Sequence, residues 1–253
     1  MAEETIPGVE LFVKASTLDC QSLGADIQCH RIMMMFALKG LPIKTFNVDT
    51  IKKTNVQLHF PYKNFPTLTL DNGAEVLDDL DEIERRFEKL SETNQSIPKL
   101  ACTNKDILSF VNVGPGSKIY QKFNYFIKNR AQEGEEALKT QLLQELKKVN
   151  AFLMSAKMPK DGEGNQMFLS GESPGLPDCT LLPKLHYIYV CLGVVKEFPM
   201  EELTGIESYL ESGRKHSAFQ STCPKKADIV HFYCRQAGMD DAEAMRKSNQ
   251  VRE

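Results

Sequence analysis

Asp26 and Cys29 stand three residues apart, just ahead of a dense apolar run from Ile32 to Leu38. On a helix, residues i and i+3 share roughly one face. A helix N-terminus gathers unpaired amide N–H groups at the positive end of the dipole, so it stabilises an anion or a thiolate. A carboxylate there keeps the charge but loses the sulfur chemistry, because a mixed disulfide needs an attacking thiolate. Asp26 therefore reads first as a helix cap, and second as a group that could hold a ligand or cation. Cys29, at the second position of a D-x-x-C spacing, reads as a packed thiol made inert by apolar surroundings. Cys20 lies in the loop ahead of it, with nothing nearby to activate it. Asp78-Asp79 precedes Ile83, Phe87 and Leu90 and reads as a second acidic helix start.

Composition limits the rest. The chain of 253 residues is 42% apolar and 26% charged, which suits one large or two small globular domains. A net charge of -3 and basic clusters no longer than pairs give no reason to expect nucleic acid. The seven cysteines are scattered and form no C-x-x-C or C-x-x-H pair, so no metal site is expected and a reducing compartment suits them. Met1 to Gly8 is acidic and lacks a signal-type apolar core, which makes the cytoplasm the expected address.

These residues need elements to position them. Glu10–Lys14 is a strand, Asp26 opens a helix ended by Lys39-Gly40, and Ile43–Val48 alternates as a second strand. Thr50–Phe60 reads as a short helix with Val56 and Phe60 on one face. Pro66–Leu70 and Ala74–Val76 form a hairpin about an Asn72-Gly73 turn. The order β-α-β-α-β-β-α, with a proline opening the third strand, is similar to a thioredoxin-like domain. After the Ser96–Leu100 linker everything is helical. Gly114-Pro115-Gly116 breaks the first stretch, Glu135–Met158 is amphipathic, and Leu176–His186 is a buried helix kinked at Pro183. Shorter helices follow near Glu201–Gly213 and Pro224–Gln236. Lys157–Gln166 reads as a mobile polar loop, and Asp240–Glu253 as a solvated helix or frayed tail. The expected domains are 8–92, thioredoxin-like, and 99–238, all-α, with a charged tail over 239–253.

An α/β thioredoxin-like half followed by an all-α half resembles the glutathione transferase superfamily. Four phrases, Glu10–Ala15, Ser22-Leu-Gly24, Phe168–Gly171 with Asp178–His186, and Phe219–Pro224, resemble the chloride intracellular channel family. The resemblance implies a transferase-like fold, a monomeric soluble form, association with membrane lipid, and a link to chloride or other ion conductance. It implies a cis bond at Phe65-Pro66, and a glutathione-like ligand held by Phe65, Pro66, Asp78 and Asp79. Vertebrate-type members carry Cys-Pro-Phe-Ser where this chain has Asp26-Ile-Gln-Cys29, and some invertebrate relatives carry Asp there. The resemblance is thus to an invertebrate-type member with weak or absent glutaredoxin-like activity. A glutathione thiolate beside the Asp26 carboxylate is disfavoured. At the buried helix Gly175 replaces the family's Thr, while Asp178 keeps its half of the capping box. The alternatives are a glutathione-dependent oxidoreductase or transferase, and a non-catalytic scaffold using the Lys157–Gln166 loop.

The resemblance also makes Cys29–Val48, with Cys29, Ile32, Met35, Phe36, Leu38 and Val48, the candidate membrane segment. It also carries Arg31, Lys39 and Lys44. A central basic residue costs about 2.5–3.5 kcal/mol, whereas Ile32, Phe36, Leu38, Leu41, Ile43, Phe46 and Val48 together return roughly 2–4 kcal/mol. Gly40 and Pro42 add helix penalties. A helix followed by a strand is the expected resting state, and membrane association the conditional one.

Overall fold

The computed structural model describes residues 6–50, 64–164, 167–199 and 203–251. Its first half runs β1 (Glu10–Lys14), α1 (Ile27–Leu38), β2 (Lys44–Val48), β3 (Thr67–Leu70), β4 (Glu75–Leu77) and α2 (Leu80–Thr93). The strands form one sheet in the order β2-β1-β3-β4. A crossover through α1 makes β1 and β2 parallel, and β3 and β4 complete the sheet antiparallel. The expected Thr50–Phe60 helix lies, beyond Thr50, outside the described residues.

Alternation in β1 buries Leu11 and Val13, while on the other side Phe12 stacks on Phe46 at 5.1 Å. The β3–β4 connection departs from the two-residue Asn-Gly turn expected. Leu70 pairs with Glu75, so four residues make the loop, and Asp71, Asn72 and Gly73 all take positive φ. Asp and Asn enter that region more readily than other non-glycine residues, which lets the sequence make this four-residue loop.

The second half is helical: α3 (Lys105–Asn112), α4 (Pro115–Lys128), α5 (Glu135–Met154), α6 (Leu176–Leu192), α7 (Thr204–Lys215), α8 (Ser217–Thr222), α9 (Lys226–Gln236) and α10 (Asp241–Asn249). α6 is buried almost throughout and continues through Pro183. Its N-terminus is anchored by Asp178, fully buried, which accepts from the amides of Leu169 (2.8 Å), Ser170 (3.1 Å) and Gly175 (3.0 Å) and the Tyr209 hydroxyl (2.7 Å). Burial pushes the Asp178 carboxyl up despite those donors.

The stretch ahead of Pro224, for which no element is expected, forms a helix of its own, α8, which packs on α1. Of the two readings of the charged C-terminal stretch, the helix holds over Asp241–Asn249: α10 packs against α9 and, beyond a solvated face, buries Ala244 and Ser248. Those small residues leave no apolar stripe to read.

α1 lies between the sheet and the helical half, in contact with α6 and α8, and so it is buried on more than one side. Its C-terminal Lys39 has no exposed side-chain surface and reaches Glu88 of α2 at 2.6 Å. The other two donors of that ammonium go to Ser91 Oγ (2.9 Å) and the Pro98 carbonyl (3.0 Å). Glu88 also accepts from the amides of Leu100 and Ala101, which fixes the linker to α2.

Candidate functional site

The loop between β1 and α1 is folded back onto the strand it leaves. Gly24 donates its amide to the Lys14 carbonyl at 2.8 Å, and a Cβ on Gly24 would stand 2.4 Å from the Ala15 oxygen. Only glycine permits that approach, and it sets Asp26 beside the end of β1. Asp26 is the N-cap of α1, its Oδ1 accepting from the amides of Gln28 (2.9 Å) and Cys29 (3.0 Å). Its Oδ2 accepts from the Lys14 ammonium at 2.6 Å.

Lys14, the partner of Asp26, is the residue of this candidate site that sequence reasoning passed over. Burial by itself would lower its ammonium, but the Asp26 carboxylate outweighs that and holds it above the usual lysine value. Twelve residues and a loop separate the two groups, and no local spacing joins them; only the β1 register and the Gly24 contact do. From the helical half Tyr120 of α4 adds its phenol, hydrogen-bonded to Tyr233 at 2.6 Å. Burial, chiefly, pushes that phenol up, with the Asp26 charge adding to it.

Cys29 is wholly buried, and burial first, then the Asp26 charge, pushes its thiol well above the usual cysteine value. Its side chain packs in the core, where apolar surroundings disfavour the thiolate. None of the seven cysteines is in a disulfide. The site thus holds a paired negative charge on a helix N-terminus, with no thiolate on it.

The Phe65-Pro66 bond is cis. β3 opposes β1 with Thr67 level with Phe12, so Phe65-Pro66, just ahead of β3, lies toward the C-terminal end of β1. Asn64, just before them, donates to Asp78 at 2.7 Å, while Asp79 caps α2 through the Glu82 amide at 2.8 Å. Phe65, Pro66 and Asp78 therefore gather at the sheet end where Lys14 and Asp26 stand. Both acids are exposed, and each already holds a partner within the chain.

In the candidate membrane segment Cys29, Ile32, Met35, Phe36 and Val48 are buried and Leu38 is half-buried. Its three basic residues are all paired: Arg31 with Glu84 (2.6 Å), Lys39 with Glu88, and Lys44 with Glu10 (2.9 Å). α1 has 12 residues, about 18 Å at ~1.5 Å per residue, against roughly 30 Å of hydrocarbon. Among the described residues no helix is long and apolar enough to cross a membrane, and no cluster of metal-ligating side chains forms.

With this geometry in hand, the comparisons with known proteins are specific. Residues 7–93 match the CLIC-like N-terminal domain. Chloride intracellular channel protein 3 of Homo sapiens is 34% identical over 233 residues, 89% of this chain and 95% of the human protein. The Mus musculus protein of the same name is 34% identical over 243 residues, 92% of this chain and 97% of its own. Among solved structures, the CLIC homologue EXC-4 from C. elegans superposes with a TM-score of 0.74 at 21% identity, covering 94% of this chain and 90% of that one. A dehydroascorbate reductase of Chlamydomonas reinhardtii gives 0.70 at 21% identity, covering 91% and 99%. A Tau class glutathione S-transferase of mango gives 0.67 at 14% identity, covering 89% and 96%. These structural likenesses establish a glutathione transferase-like fold, thioredoxin-like in its first half and all-helical in its second. With a third of its residues shared with two relatives along almost their whole length, the chain belongs to the chloride intracellular channel family.

Proposed function

We propose that this protein associates reversibly with membranes from the cytoplasm and takes part in chloride or other ion conductance, without thiol-transfer chemistry. The observation that carries the reading is the Lys14–Asp26 ion pair at the helix start, beside a Cys29 too buried to act. An oxidoreductase or transferase reading needs a nucleophile at that position. A carboxylate already held by two amides and an ammonium supplies none. Asp26 at this position also favours an invertebrate-type member of the family.

Membrane entry has a stated cost. Ile32, Met34, Met35 and Phe36 are all buried, and at about 1.5–3 kcal/mol each their exposure to water costs roughly 6–12 kcal/mol. α1 therefore leaves its place only where lipid takes over that burial. The test is sedimentation with anionic vesicles and chloride efflux from them, between pH 7.5 and pH 4.5. Binding with efflux in at least part of that range is expected. Neither binding nor efflux anywhere in it overturns the reading.

A further inference from the structure

α4 and the turn after it differ in charge from the rest of the chain. From Ile107 to Gln132 there is no acidic residue, while Lys118, Lys122, Lys128 and Arg130 supply +4. The net charge of the chain is -3, so the remaining residues carry -7. Such an asymmetry is a property of one surface rather than of the molecule.

Helical spacing gathers the charge. At about 100° per residue, Lys118, Gln121, Lys122, Tyr125 and Lys128 fall within roughly 120° of arc around α4. Ile119, Phe123, Phe126 and Ile127 take the other side and are buried. Tyr125 stands in the middle of the outward arc and is 53% exposed, its hydroxyl accepting from Gln121 at 3.0 Å.

These lysines are not engaged by acids of the fold. Lys118 and Lys128 are exposed and have no hydrogen-bond or ion-pair partner among the described residues. Lys122 donates to the neutral Gln141 of α5 at 2.9 Å. Of the acids that flank the stretch, Asp106, Glu135 and Glu145 are each held by another lysine, Lys157 (2.7 Å), Lys196 (3.1 Å) and Lys148 (3.0 Å). Glu133 and Glu136 come at and after the turn into α5, beyond the Lys128 end of the face.

We propose that this face of α4 is where the folded protein docks on a bilayer rich in anionic phospholipid, with Tyr125 at headgroup level and the three lysines on the lipid anions around it. The inference rests on the membrane reading above and names its first contact surface. Unpaired ammonium groups keep their full attraction for an anionic surface, and their alkyl stems lie along the apolar boundary. An aromatic ring with one polar tip suits the same depth. The face is convex and already exposed, so docking requires no part of the fold to open and precedes any departure of α1.

The test is sedimentation of the full chain at pH 7.4 with vesicles of phosphatidylcholine alone or with added phosphatidylserine. The serine lipid is expected to strengthen binding at least tenfold. Raising sodium chloride from about 0.1 M to about 1 M, which shortens the screening length from ~10 Å to ~3 Å, is expected to remove the difference. A lysine near an anionic surface is worth about fivefold in binding. Lys118→Gln, Lys122→Gln and Lys128→Gln combined are therefore expected to weaken binding at least tenfold. Lys89→Gln, Lys99→Gln and Lys160→Gln combined, at exposed positions elsewhere, change the net charge equally and are expected to cost less than threefold. The chain has no tryptophan, so Tyr125→Trp supplies a single reporter. Its emission is expected to shift to the blue on the serine-lipid vesicles and to be quenched by brominated lipid.

Equal losses in the two triple variants, or an unshifted emission in protein that sediments, overturn the proposal and leave the membrane reading intact. Binding confined to acid pH does the same. Polyglutamate bound more tightly than the vesicles, and lost in the first triple variant, assigns the face to an acidic protein and also overturns it. Docking at pH 7.4 without efflux at any pH supports this face and removes the conductance reading instead.

Discussion

The Lys39 ammonium, with no exposed side-chain surface, lies 2.6 Å from the Glu88 carboxylate and has a second and third partner in Ser91 and the Pro98 carbonyl. One ion pair thus joins the end of α1, in the middle of the candidate membrane segment, to α2 and the linker between the two halves. Removing one member leaves a buried charge alone, which costs about 3–5 kcal/mol. Glu88→Gln is expected to destabilise the chain by that order in urea denaturation. Lys39→Met with Glu88→Leu is expected to recover most of the loss, since apolar groups of similar size replace a buried pair at little cost. Equal stability of Glu88→Gln and the wild type is the result against this.

Asp26→Cys tests what the helix start can do once sulfur is restored. The new thiol would stand on the first turn of α1 beside Lys14, and both the helix dipole and the ammonium favour the thiolate. Alkylation by iodoacetamide at pH 7 is expected to run at least tenfold faster at this thiol than at any of the seven native cysteines. Glutathione-dependent disulfide reduction is expected to be negligible in the wild type and measurable in the variant. Adding Lys14→Met should slow both reactions. Robust wild-type turnover that vanishes in Cys29→Ala would reverse the assignment.

His30 and His186 predict an acid-side loss of stability. His30 is brought down to about 3 by burial and then by His186. His186 is brought down to about 3 by burial, then by Arg214 and Lys226. Both folded values lie below the ~6.5 of a free imidazole. The unfolded chain therefore binds more protons below pH 6.5, and the stability present above that pH is lost progressively as pH falls toward 3. At pH 5 the loss is about 2 kcal/mol per histidine, from ~1.4 kcal/mol per pH unit. Denaturation curves at pH 7 and pH 5 check this, and His30→Phe should remove about half the difference. A wild type equally stable at both values contradicts it.

Much of this was legible from residue patterns, and the failures share a cause. Alternation in Glu10–Lys14, the caps Asp26 and Asp79, and the apolar period expected over Glu135–Met158 are local signals, and the elements follow them, the last helix ending earlier, at Met154. Residues whose meaning depends on a distant partner were passed over. Lys39 reads only as the end of a helix, and its burial depends on Glu88, which is on another helix. Lys14 looks like any strand lysine until the Gly24 contact returns the chain to it. α8, six residues long, is too short to show a helical period, and α10 buries small residues instead of an apolar stripe.

Gly175 is the position where family resemblance and packing give opposite advice. A threonine there would be a slightly better N-cap for α6, since its hydroxyl can accept from the amides of the first turn, a gain of about a few tenths of a kcal/mol over glycine. In this chain, however, a Cβ on Gly175 would stand 2.4 Å from Ser170 Oγ and 2.7 Å from the Leu100 carbonyl oxygen. The serine can turn aside, but the Leu100 carbonyl is backbone and accepts from the Leu176 amide at 3.0 Å. Overpacking of this kind costs about 1–3 kcal/mol, so it outweighs the cap. Gly175→Thr is therefore expected to lower stability by about 1–2 kcal/mol in thermal or urea unfolding. Gly175→Thr with Ser170→Gly should recover part of that but not all, because the Leu100 contact remains. A Gly175→Thr variant more stable than the wild type would mean that the linker at Leu100 shifts freely to admit the side chain.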